Sequence, residues 1–111
     1  MSMQHQINKD SLKEKLLKLQ NEYASNIPER LKLITRLWKS YQDDTSEQNY
    51  QPLLTEVHKI AGTATMYGLK DLGEIAFHAE EEILALKNRT VNTEKAGKKI
   101  NALIKWRKTI R

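Results

Sequence analysis

The chain has 111 residues, no cysteine and a formal net charge of +5. That length suits one domain, residues 1–111, which would bury roughly two-thirds of the surface its unfolded form exposes and so support one modest core. Without cysteine there is no disulfide framework, no thiolate nucleophile and no thiolate metal site. No apolar run approaches the roughly 18 residues needed to cross a bilayer, and the opening MSMQHQINKD lacks a signal-type hydrophobic stretch, so a soluble, cytoplasmic protein is expected. The positive charge suits nucleic acid, an anionic membrane or a carboxylate-rich protein surface, without choosing among them.

Residues 1–9 read as a flexible start. Apolar residues then recur at helical spacing almost throughout, and nothing alternates with period two, which predicts five helices and no sheet. The first is expected from Asp10 to Ser25, with Ser11 and Glu14 as a capping box. Asn26 would cap a second, with Pro28 in its first turn and Leu31, Ile34, Leu37 and Trp38 carrying it to Gln42. The polar run DDTSEQN reads as a loop. A third helix follows from Pro52 to Tyr67, ended by Gly68 in the left-handed conformation glycine readily adopts. The fourth is expected over Leu69–Lys87, then a turn at Asn88 and Arg89, and a fifth capped by Asn92 or Thr93 that reaches the C-terminus. Connections this short make neighbours antiparallel. The expected fold is all-α: an antiparallel four-helix bundle with up-and-down connections and an additional N-terminal helix. Such a fold hosts many functions, so function has to come from a site.

The third helix carries the candidate. Leu53, Leu54, Val57, Ile60, Ala61 and Ala64 form one apolar stripe, and His58 lies about 100° from its centre, so the imidazole should reach solvent while its stem stays anchored. Gly62 and Thr65 lie on the same flank. A glycine inside a helix costs about 1 kcal/mol relative to alanine. Four residues after the histidine, however, it clears the surface beside the imidazole for another protein to approach. An exposed histidine with cleared space beside it suits attack on a phosphoryl group.

The segment His58-Lys59-Ile60-Ala61-Gly62-Thr63-Ala64-Thr65-Met66-Tyr67-Gly68-Leu69 resembles the signature of histidine phosphotransfer (HPt) domains: a histidine, a glycine four later, small residues, an aromatic, then glycine and a hydrophobic residue. Leu72, Ala76 and Glu80 are similar to the family's next helix, and Ile27-Pro28-Glu29-Arg30-Leu31 with Leu37-Trp38 to its second, so the likeness spans nearly the whole chain. Many members carry lysine or arginine just before the glycine, where this chain has Ala61; Lys59 is the nearest basic side chain but projects elsewhere.

The resemblance implies a monomeric phosphocarrier and not an enzyme. His58, neutral near pH 7 as an ordinary imidazole can be, would attack through Nε2 on a receiver-domain phosphoaspartate and pass the group to another receiver, with a hybrid sensor kinase as a further partner. Lys59, Ala61, Gly62 and Thr65 would support or dock, Thr55 and Met66 would join the rim, and Glu80, on the flank of the fourth helix that meets His58 together with Phe77, would orient the imidazole. The chain itself needs no cofactor or metal in this reading; magnesium would come with the receiver.

Other readings use other residues. His78 matches His58 in height about Gly68, yet the two imidazoles should turn apart, and two histidines without matched carboxylates make a weak metal site; His5 sits in the terminus. Lys98, Lys99, Lys105, Arg107, Lys108 and Arg111 make the last helix basic, either as a solvated face complementing the helix C-terminus or as a nucleic-acid or anionic-membrane surface, with Trp106 its only aromatic. An adaptor bundle that binds without transferring phosphoryl is the third alternative. Gly62, Gly68, Gly73 and Gly97 form no phosphate-binding loop, so no ATP site is expected.

Overall fold

The computed structural model describes residues 2–87 and 93–108, with side chains from Ser11 onward. Those residues form four helices and no strand: α1 (Ser2–Asp43), α2 (Glu47–Thr63), α3 (Lys70–Lys87) and α4 (Thr93–Ile104). α2 packs on α3, α3 on α4, and α1 on both α2 and α4, which closes the four around one core. No helix among them is long and apolar enough to cross a membrane.

The apolar positions explain the packing. Ile27, Leu31, Ile34 and Trp38 are buried on α1; Leu53, Val57, Ile60 and Ala64 line α2 and the turn that follows it. From the other side come Leu72, Ala76, Ala79 and Ile83 of α3, with Ala96, Ile100 and Leu103 of α4. The stripe expected on the third helix is thus the inner face of α2, with Leu54 and Ala61 at its edges, partly buried against the core. Tyr50 is also buried; its hydroxyl donates to the Ile83 carbonyl at 2.8 Å, and burial raises its pKa, with Tyr41 and Glu47 adding to the effect.

Four boundaries differ from the sequence expectation. The two helices expected before residue 43 are one, α1, which begins at Ser2 and runs through Asn26 and Pro28. Pro28 falls on the exposed side, where the carbonyl deprived of its N–H partner can face water, while Ile27 beside it is anchored in the core. Forty-two residues at 1.5 Å each match the long axis of the molecule, 61 Å. Leu12, Leu16, Leu17 and Leu19, on the N-terminal part of that helix, are at least half exposed.

Second, α2 begins at Glu47 and not at Pro52, because Ser46 takes the extended cap conformation and Tyr50 has a core position to fill; the loop shrinks to residues 44–46. Third, the regular helix stops at Thr63, and residues 64–68 form the closing turn. Gly68 has φ +83°, its N–H donates to the Thr65 carbonyl at 3.0 Å, and the Leu69 N–H donates to the Ala64 carbonyl at 2.9 Å. That pair of bonds is the Schellman arrangement, and glycine meets its left-handed position without strain.

Fourth, α4 ends at Ile104 instead of reaching the C-terminus. Beyond it Trp106 is buried, and its indole N–H donates to Asp71 Oδ2 at the start of α3, 2.9 Å away. The expected turn at Asn88 and Arg89, the Asn92 cap and Arg111 lie outside the described residues.

Candidate functional site: the His58 shoulder

His58 stands on α2 with its side chain 68% exposed. From α3, Glu80 reaches across so that its Oε2 lies 2.5 Å from His58 Nδ1, while the glutamate side chain is only 16% exposed. An ionised carboxylate only accepts hydrogen bonds, so Nδ1 carries the proton and donates it. In the neutral ring that leaves Nε2 as the nitrogen with the free lone pair. Two helices therefore fix the ring: α2 supplies the stem and α3 the carboxylate that holds its orientation.

One turn further along, Gly62 is exposed, and a Cβ built on it would meet nothing within 4 Å. Internal packing therefore gives no reason for glycine at this position. Gly73 is the opposite case, since its Cβ would lie 2.4 Å from Thr65 Oγ1 and 3.3 Å from the Thr65 backbone nitrogen. Gly73 lets α3 approach the end of α2; Gly62 leaves space on the outside of α2, beside the imidazole.

The remaining residues named from the sequence divide by surroundings. Ala61 is partly buried against the core and presents no group to the shoulder. Lys59 is exposed, but its Nζ lies 3.3 Å from Glu56 Oε2 on its own helix. Thr65 leans toward Gly73 of α3. Thr55 and Met66 are exposed, Met66 strongly so.

His78 does not meet His58. Its Nδ1 lies 3.2 Å from Glu81 Oε1, one turn away on α3, and its ring packs edge-on against Phe77 at 5.8 Å between centroids. Phe77, expected beside Glu80 near His58, is half exposed and lies against His78. Among the described residues no three His, Asp or Glu side chains are grouped so as to hold a metal. A cleft of about 500 Å³ opens at α1 and α4, lined by Trp38, Tyr41, Gly97 and Lys98 among others, and it contains no histidine.

The basic C-terminal region also changes character. Because α4 stops at Ile104, Lys105, Arg107 and Lys108 lie beyond it, and Arg107 donates to the Ile104 and Trp106 carbonyls. Trp106 is spent on the core and on Asp71, so the region has no exposed aromatic on which a base could stack.

Sequence reasoning missed a second cluster near the shoulder. Tyr23 of α1 stacks on Tyr67 with centroids 4.5 Å apart and planes at 15°, and its hydroxyl lies 2.7 Å from Thr63 Oγ1. The signal available was only the spacing Tyr23–Ile27–Leu31, which extends the core stripe of α1 by one turn.

No family model matches the chain, and no curated protein or solved structure is significantly similar to it.

Proposed function

We propose that the chain is a phosphocarrier of the histidine phosphotransfer type, with His58 as the acceptor. The observation that carries this reading is the combination at the shoulder: an exposed imidazole, held through Nδ1 by a carboxylate from another helix, beside a glycine that packs against nothing. The spacing from His58 to Leu69 and the left-handed Gly68 that closes the turn support it. In this reading the four helices run up and down, antiparallel, as the short connections at 44–46 and 64–69 favour.

The chemistry follows from the ring's orientation. Nε2 attacks the phosphorus of a receiver-domain phosphoaspartate in line with the departing carboxylate oxygen. The P–O bond breaks, the N–P bond forms, and the aspartate leaves as a carboxylate. The imidazole keeps its Nδ1 proton and becomes positively charged, and Glu80 opposite that proton offsets the charge. Transfer onward reverses the same bonds at a second receiver aspartate. The magnesium such transfers use belongs to the receiver. In this reading the chain acts as a monomeric carrier in the cytoplasm and not as a kinase.

Docking places the receiver's pocket over His58 and Gly62, with Thr55 and Met66 at the rim. Lys59, paired with Glu56, and Thr65, turned toward α3, are secondary to that contact. The test is phosphoryl transfer from a panel of phosphorylated receiver domains to the native chain and to His58→Gln. Acid-labile, base-stable label on the native chain alone is the expected result. Partner binding without label would replace the carrier reading with an adaptor.

A further inference from the structure

Gly62 weakens the turn it occupies, because glycine loses more backbone freedom than any other residue on entering a helix. That turn, Lys59–Thr63, is the last of α2 and forms the surface a partner would meet. It is supported from outside by the Tyr23 cluster. The Thr63 hydroxyl donates to the Lys59 carbonyl at 2.7 Å, which uses its only proton. The 2.7 Å contact between Tyr23 and Thr63 therefore has the tyrosine hydroxyl as donor. A chain of two hydrogen bonds thus spans the turn containing Gly62, and the stacking of Tyr23 on Tyr67 fixes its outer end. This support comes from α1, whereas Glu80 reaches His58 from α3.

We propose that Tyr23 is a positioning residue for phosphotransfer, one that keeps the Gly62 turn ordered so that a receiver meets a preformed surface. The inference rests on the phosphocarrier reading of the same shoulder. Preorganisation of this kind acts on docking, because a surface that must be ordered on binding gives up affinity. It should not alter the reactivity of the imidazole itself, which Glu80 orients independently.

The experiment compares the full chain with Tyr23→Phe, which keeps the ring, and with Thr63→Val, which keeps the shape but removes both hydrogen bonds. Amide hydrogen exchange of residues 60–64 should accelerate about fivefold in Tyr23→Phe, the factor that corresponds to one ordinary hydrogen bond, and by more in Thr63→Val, which loses two. With a phosphorylated receiver that labels the native chain, the half-saturating receiver concentration should rise about fivefold for Tyr23→Phe and by more for Thr63→Val while the maximal rate is kept. Chemical labelling by phosphoramidate, which transfers its phosphoryl group to imidazole and releases ammonia without any docking, should be unchanged. Native half-saturation in both variants would overturn the proposal. So would an equal loss of maximal rate and of phosphoramidate labelling, which marks a general loss of structure. If no receiver labels the native chain, the phosphocarrier reading itself fails and this inference with it, a result separable from the others because it appears before any variant is made.

Discussion

Two histidine–glutamate pairs stand on the surface among the described residues, and they are built differently. His58 stands ten residues before Gly68 and His78 ten residues after it. Each has a carboxylate oxygen near Nδ1. Glu80 comes to His58 from another helix and is largely buried, so the protein's interior determines where the carboxylate sits. Glu81 comes to His78 from the next turn of the same helix, with the two side chains 56% and 54% exposed. Exposed pairs at that spacing contribute only about 0.2–0.5 kcal/mol and reorganise freely. The surroundings differ as well. Four residues past His58 is a glycine with open space around it; four residues past His78 is Glu82, whose carboxylate lies 3.8 Å from Lys95. A histidine beside a carboxylate is common on protein surfaces. What distinguishes His58 is that a second helix holds it in place and the adjacent surface is clear.

The largest expected effect comes from removing the ring. His58→Gln should abolish receiver-dependent labelling and His78→Gln should leave it at the native rate, both read as incorporated phosphoryl group; equal losses would erase the distinction between the two sites. Next is a bulky residue in the cleared space. Gly62→Leu should slow transfer from a protein donor by about a hundredfold, the scale expected when the reacting groups cannot come into line. Because a Cβ there meets nothing within 4 Å, its circular dichroism should stay native and its melting should not fall below native, since helix propensity favours leucine over glycine.

A smaller effect is expected at the carboxylates. Glu80→Gln should slow labelling about tenfold, in line with the roughly 1.5 kcal/mol of a hydrogen bond involving a charged group, whereas Glu81→Gln should change nothing. The smallest is a pair of opposite stability changes at two glycines. Gly62→Ala should stabilise the protein by about 0.5–1 kcal/mol through helix propensity alone. Gly73→Ala should destabilise it by about 1 kcal/mol, because overpacking against Thr65 costs about 1–3 kcal/mol and exceeds the gain in propensity. Denaturant midpoints for the two variants should therefore move in opposite directions.

Much of the helical framework was legible in the sequence, because amphipathic spacing is a local signal. The stripe Leu53–Val57–Ile60–Ala64 marks the buried face of α2 and leaves His58 outside it. Gly68 marks a turn whose left-handed backbone favours glycine. The errors arose where distant groups override local rules. Asn26 and Pro28 read locally as a helix start, yet the core positions on either side, Ile27 and Leu31, keep α1 continuous. Trp106 stands in a basic tail, and its place in the core, with its indole N–H on Asp71 thirty-five residues earlier, rests on tertiary contacts that no local pattern shows.

The site divides in the same way. The sequence separates His58 from the core, but the space around Gly62 and the largely buried state of Glu80 depend on how α2 and α3 pack. The Tyr23–Thr63 contact spans forty residues between α1 and α2, and no local pattern announces it.

The most direct test of the central claim is to locate the phosphoryl group. After incubation with a phosphorylated receiver domain that labels the native chain, peptide mapping together with phosphorus–nitrogen NMR on 15N-histidine-labelled protein identifies the residue and the nitrogen. The account predicts one phosphoryl group, on Nε2 of His58, with His78 unmodified. Label on His78, or on Nδ1 of His58, the nitrogen whose proton is donated to Glu80, would contradict it.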